Sequence, residues 1–306
     1  MLLAAIYLAL MALFHFLGNT SDVPMFGRSL FNWMIVRWSD ATISIADYSH
    51  GWLIPLVSLA ALWPVRRSIA VARKSVNHWG LLLVIAGLLL HWAGARMQQP
   101  RISLVSIIVL IWSVPLYLYG MGVARHLLFP CGYLVFCIPL NFLDTWAFGL
   151  RMFSTVTSVG LLNGLGIASE RVGTAIRSSA GKGFMFDVAD PCSGLRSLLA
   201  ITALVIAYAW FSQEELWKRA VLCVSSVLFA IAGNVARILS IAIVACSFGQ
   251  DAAMKMYHDY SGFIIFFIVV LLMVVASNML SHIDRHFKRR RGGTERSQKR
   301  NASSPC

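Results

Sequence analysis

Charge is scarce in this sequence. Asp, Glu, Lys and Arg together make up 13% of its 306 residues, where a soluble domain carries about a quarter. Too little charge remains to cover a water-facing surface, which argues against a soluble globular fold. Acidic groups are the scarcer kind, 13 against 26 Lys and Arg, and the net charge is +13. The six cysteines, at 131, 137, 192, 223, 246 and 306, form no Cys-x-x-Cys pair and no zinc spacing. No disulfide framework, metal or cofactor is therefore expected. Five of the cysteines lie in or near apolar segments, where cysteine packs as a small hydrophobe. The terminal Ser-Ser-Pro-Cys is not a prenylation box. Internal repeats and a Gly-rich phosphate loop are also missing. The first 17 residues have neither the basic start nor the small-residue cleavage site of a signal peptide, so they read as an anchor helix.

Long apolar runs are abundant. Hydrophobic residues make up 58% of the chain and the mean hydropathy is +0.72. Eight apolar segments stand out, at about 1–17, 51–63, 79–95, 102–120, 127–145, 191–211, 220–248 and 262–282. A bilayer core needs about 20 residues of helix, so the second segment is expected to extend back toward Ile43. The fold class expected is all-α, a polytopic membrane helical bundle of about eight transmembrane helices with a small extracytoplasmic insertion. That insertion, residues 146–190, is read as a surface-lying helix over 146–162 (Phe148, Met152, Val156 and Val159 share one face) followed by a short hairpin over 171–188. The membrane domain covers 1–283. Residues 284–306 form a basic cytoplasmic tail expected to lack fixed structure, with eight Lys and Arg after Asp284. Such a block acts as a topology anchor and lipid contact rather than a nucleic-acid site.

Short-loop cations orient the chain. With both termini cytoplasmic, the inner loops hold Arg66, Arg67, Arg73 and Lys74, then Arg125, then Lys218 and Arg219, then the tail. Trp52, Trp63, Trp79, Trp92 and Trp217 fall at expected helix ends, as an interfacial belt does.

Three places put polar groups where a bilayer disfavours them. The first is Asp190-Pro191-Cys192-Ser193-Gly194-Leu195-Arg196-Ser197. Asp190 suits a helix N-cap and Pro191 the first helical position, which sets Cys192 in the first turn. Backbone N–H groups and the helix dipole there favour a thiolate, although a nearby Asp190 opposes the effect. Arg196 follows at i+4 on the same face. The structural alternative is a capped helix start with a packed cysteine. The second place is Asn234-Val235-Ala236-Arg237 in the middle of the seventh span. An arginine at a helix centre costs about 2.5–3.5 kcal/mol, so it faces protein, either as part of a site or as a clamp on carbonyls. The third is Tyr257-His258-Asp259-Tyr260-Ser261-Gly262, where an imidazole can hold a proton near neutral pH or simply be solvated. Tyr48-Ser49-His50-Gly51 is a fourth, weaker candidate. A metal site built from His50, Cys192 and His258 rests on no ligand spacing.

A nucleophilic thiol, a fixed cation and an imidazole are the parts needed for acyl transfer through a thioester. At these residues the sequence resembles the exosortase/archaeosortase family of membrane transpeptidases. The matching strings are Cys-Ser-Gly-Leu-Arg-Ser at 192–197, Asn-x-x-Arg at 234–237, His258 with Gly262 following, Tyr-Ser-His-Gly at 48–51, and Gly166 with Arg171-x-Gly173. Histidine at 258 is similar to the bacterial branch, since archaeal members carry arginine there.

The resemblance implies catalytic Cys192, Arg237 and His258, with Arg196, Asn234 and Ser193 in support. It further implies membrane-anchored substrates bearing a C-terminal sorting signal (PEP-CTERM-like), a bacterial inner-membrane location and a site toward the periplasm. Lipids are the other expected partner, and nucleic acid is not. Two readings compete. A transporter would use Arg237 for an anionic solute and show inverted repeats or paired broken helices, neither of which is found. A non-catalytic component of exopolysaccharide export would share the motifs without the chemistry.

Overall fold

Backbone polar groups inside a bilayer must be satisfied within their own segment, which an α-helix achieves and an open strand does not. The computed structural model follows that rule. It describes residues 1–18, 27–39, 48–139, 144–179, 184–187 and 194–302. Among these residues, Ser49–Val71, His78–Arg96, Pro100–Tyr119, Leu216–Phe248 and Gly262–Arg285 are helical, long and apolar enough to cross a membrane. Leu2–Leu17, Met121–Cys137 and Leu199–Ser212 are shorter apolar helices. The five and the three together correspond to the eight apolar segments of the sequence. The chain falls into two compact units, one of residues 1–148 and 195–203, the other of residues 149–194 and 204–306.

In the first unit, α1 (Leu2–Leu17) and α2 (Leu30–Ser39) come before a 3-10 turn (Ser49–Trp52) that feeds α3 (Leu53–Ala60) and α4 (Leu62–Val71). Then follow α5 (His78–Arg96), α6 (Pro100–Tyr119), α7 (Met121–Tyr133) and a second 3-10 turn (Leu134–Cys137). The antiparallel pair α5–α6 is the tightest contact. Gly80, Gly87 and Gly94 recur every seven residues on one face of α5, and small residues there let two membrane helices approach closely. A Cβ on Gly80 would lie 2.3 Å from Tyr117 N, and one on Gly94 2.9 Å from Ser103 Oγ. Ser106 Oγ donates to Gly87 O at 2.8 Å, and His91 Nδ1 lies 3.0 Å from Ser103 Oγ. Phe14, Leu30, Trp33, Leu104, Leu110 and Ile138 form the core beside this pair. At the far end of α6, Ser75 N donates to Tyr119 O and Asn77 N to Tyr117 O. That fastens the loop before α5 against the turn at Gly120, whose φ of +78° suits glycine.

Two expectations shift here. The second span is completed forward, through Arg66 and Arg67 to Val71, while 40–47 lie outside the described residues. Long cationic side chains allow this, because they snorkel to the interface; Arg66 lies 3.5 Å from the centre of the Trp63 ring. The fifth segment starts earlier, at Met121, and its helix gives way to the 3-10 turn ending at Cys137. α2 escaped the sequence reading because ten residues are too few to span and its Asn32 and Arg37 dilute the apolar signal.

The second unit takes most of α8 (Asp144–Gly164). Its buried face is made of hydroxyls: Ser154, Thr155 and Ser158 donate to the carbonyls of Leu150, Arg151 and Ser154. Phe153, Val156 and Leu161 point outward, as in a helix lying on lipid. The expected hairpin is a three-stranded antiparallel meander, β1 (Ser169–Val172), β2 (Ala175–Ser178) and β3 (Met185–Asp187). Ser169 pairs with Ser178, Arg177 with Met185, and Gly173 turns the first corner at φ +63°. Then come α9 (Gly194–Ser212, its first half in the other unit), α10 (Leu216–Phe248), α11 (Gln250–Asp259) and α12 (Ser261–Ala302). α12 runs on into the basic stretch as far as Ala302. Lys and Arg are good helix formers, so the helix begun in the apolar run propagates into them.

Candidate active site

An arginine in an apolar helix must reach water or be enclosed by protein. Arg237 is enclosed, with 6% of its surface exposed. It belongs to a stripe of buried residues along α10, Leu222, Ser226, Ala230, Gly233, Arg237 and Ile241, spaced by three and four. Around Gly233 this face packs on α12, where a Cβ would meet Ile265 and Val269 at 3.2 Å. Asn234, three residues before Arg237, is half-buried.

The position of Arg237 along α10 follows from helix geometry. Thirty-three residues at a rise of 1.5 Å give roughly 50 Å, well beyond a core of about 30 Å. Near the start of the helix, Lys218 pairs with Asp284 at 2.8 Å and Glu215 at 3.5 Å, and Arg219 donates to Gln213 O and Trp210 O. Arg237 stands roughly 28 Å further on. The two cations are thus about one hydrocarbon thickness apart. Arg237 therefore lies in the half of α10 remote from Lys218, as counting back from Gly249 in the sequence also places it.

Beyond Arg237, the end of α10 is capped. Ile238, Ile241, Ala242 and Ala245 pack with Leu162 of α8, Ile176 of β2, Phe184 and Ala253 of α11 in one buried cluster. Gly249, at φ +91°, turns the chain into α11. There the Gln250 side chain behaves as an extra strand residue: Nε2 donates to Met185 O at 2.6 Å and Oε1 accepts from Met185 N at 3.1 Å. These contacts fix α11 to the meander at the Arg237 end of α10. Across the meander, Arg177 pairs with Glu170.

His258 lies in α11, so its backbone belongs to this cap; its side chain is outside the described set. Arg196 stands in the first turn of α9, likewise without a described side chain. Cys192 and Ser193 lie outside the described residues, in the segment between Asp187, the end of β3, and Gly194, the start of α9. Sequence reasoning missed Gln250, and a glutamine beside a glycine gives no signal for a contact with a strand so distant in the chain.

The Tyr48–Gly51 string belongs to the first unit and opens the 3-10 turn. Tyr48 is buried with its ring centre 5.8 Å from that of His50. Gly51 sits against the Trp38 indole, where a Cβ would come within 2.3 Å of Nε1. Trp38 Nε1 donates to Cys137 O at 3.2 Å. Close by, burial and then the positive charge of Arg101 lower the Arg37 pKa below its ordinary value. This string therefore packs as a joint between α2 and α3.

Several helices apolar and long enough to cross a membrane, one of them holding a buried guanidinium and ending against a small β-sheet and a short helix, define a multi-pass membrane protein. A profile of the transmembrane exosortase family (EpsH) matches residues 38–275, and the chain belongs to that family. Comparison with curated proteins and with solved structures gives no match.

Proposed function

We propose that this exosortase is a membrane-embedded cysteine transpeptidase acting on C-terminal sorting signals of exported proteins. The observation that carries the reading is Arg237: a guanidinium buried within an apolar helix, in the same unit as the helix that bears His258. Such a cation is costly to keep in an apolar helix, which supports a functional rather than incidental role. Family membership supports the rest.

In this mechanism the Cys192 thiolate attacks the scissile carbonyl carbon near the sorting motif. The tetrahedral oxyanion faces Arg237, a preorganised positive charge where negative charge develops. The C–N bond breaks, His258 gives its proton to the departing amine, and the signal's anchor helix leaves. The product is a thioester on Cys192. An acceptor amine, or water, then attacks the thioester carbonyl, His258 takes the proton, and the C–S bond breaks to restore the thiolate. Arg196, four residues after Cys192 in sequence, and Asn234, one turn from Arg237, orient these groups, and Ser193 adds a hydroxyl next to the nucleophile in sequence.

Charge supports one orientation. In the second unit Lys218, Arg219 and Arg285 gather at the end of α10 and α12 away from Arg237, and positive-inside placement makes that end cytoplasmic. The site then opens toward the periplasm of a bacterial inner membrane.

The test is co-expression with a protein ending in a short motif, an apolar helix and a basic tail. Wild type should shorten it, and Cys192→Ala should leave it intact at unchanged membrane levels. Hydroxylamine-sensitive trapping of substrate on Cys192 separates an enzyme from a non-catalytic assembly component. Normal processing by Cys192→Ala would end the proposal.

A further inference from the structure

The first unit contains a cavity that the transpeptidase reading does not use. It measures about 780 Å³ and lies among α1, α3, α4, α6 and α7, a size typical of small-molecule sites. Its walls are hydrocarbon: Met11, Leu59, Leu62, Pro115, Leu127 and Leu134 supply most of them. Two of the three hydroxyls in the wall already have partners. Tyr7 Oη donates at 2.8 Å to Ile111 O, the carbonyl whose helical donor Pro115 removes. Ser58 Oγ donates at 2.7 Å to Pro130 O. The lining has one ionic group, Lys74, whose Nζ is 5.8 Å from the Tyr119 ring centre.

The chemistry around that lysine points to an anion. Between residues 48 and 143 the sequence has seven Lys and Arg and no Asp or Glu. Lys74 stands beside Arg73 in the loop fastened to the end of α6, and that loop is held rigidly. A Cβ on Gly120 would come within 2.4 Å of Ser75 O, and one on Gly122 within 2.6 Å of Arg73 O. An exposed ammonium at the mouth of an apolar trough, on a backbone tied to the end of α6 and in a stretch of chain with no acid, asks for a ligand that is anionic at one end and hydrocarbon at the other. Basic pockets between membrane helices hold anionic lipid headgroups by this logic.

We propose that this cavity is a binding site for one anionic phospholipid, its phosphate on Lys74 and one acyl chain lying along Tyr7, Pro115 and Leu127. The basic loops place the site in the cytoplasmic leaflet. An uncharged membrane helix would leave the ammonium unpaired, so the lysine favours a phosphate-bearing occupant.

Native mass spectrometry of the full-length protein in detergent tests this, with phosphatidylglycerol and phosphatidylcholine of identical chains as probes. The expected result is a single retained phosphatidylglycerol, preferred over phosphatidylcholine. Lys74→Glu should weaken retention about 5- to 10-fold, as removal of one favourable surface cation implies. Leu127→Trp, which fills the trough, should abolish it. Leu59→Trp at the exposed rim offers the same block should the Leu127 variant fail to fold. Cys192→Ala should keep the lipid, so this site and the transpeptidase reading fail separately. Equal retention of both lipids, unchanged retention in Lys74→Glu, or a dimer lost on filling the trough would each overturn the proposal.

Discussion

At the scale of single residues, burial decides what a substitution does. Arg237 is enclosed on the packed face of α10, so its replacement removes a charge that nothing else in that stripe supplies. Arg237→Gln should lower the rate of substrate processing about 100- to 1,000-fold, the usual effect of losing one oxyanion stabiliser. Arg237→Lys should recover only part of it, because an ammonium lacks the planar fork of donors. Pulse-chase processing, normalised to the amount of protein in the membrane, measures both. Lys218 and Asp284 behave differently, as a nearly buried pair 2.8 Å apart. Lys218→Met alone strands Asp284 and should cost about 3–5 kcal/mol, whereas Lys218→Met with Asp284→Leu should be close to neutral. Thermal melting in detergent separates the two.

At the scale of elements, close approach is the vulnerability. Gly233 lies where α10 rests on α12, and a side chain there must displace Ile265 and Val269. Gly233→Val should destabilise the second unit by about 1–3 kcal/mol, the range for overpacking, and lower the melting temperature without touching the proposed catalytic groups. This scale also shows how far sequence reasoning reached. Long apolar runs announced the helices because a bilayer leaves few alternatives. The end of the second span was misjudged, since snorkelling arginines break the apolar run without breaking the helix. α2, too short and too polar to resemble a span, was invisible. Arg237 was legible as an interior group from its cost alone. Its place in the half of the helix nearer Gly249 was legible too, but the cap of strands and α11 beyond it was not. The tie between Gln250 and Met185 joins residues far apart in sequence through a side-chain amide, and no local pattern encodes that.

At the scale of the whole molecule, the claim most open to test is orientation. Glu170→Cys on the meander should react with a membrane-impermeant maleimide in intact spheroplasts. Val76→Cys, in the loop that carries Lys74, should react only after permeabilisation. The opposite pattern would put the proposed thiol chemistry on the wrong face for exported substrates, so this experiment comes before any enzymology.

α10 also acts as a gauge. Lys218 and Arg237 mark it like two graduations about one hydrocarbon thickness apart. A bilayer several ångströms thicker would draw one of them into oil unless the helix stood more upright or the lipids thinned around it, at a cost of a fraction of a kcal/mol per ångström. In reconstituted vesicles of graded acyl length, processing should therefore peak where the slab matches that interval and decline on either side.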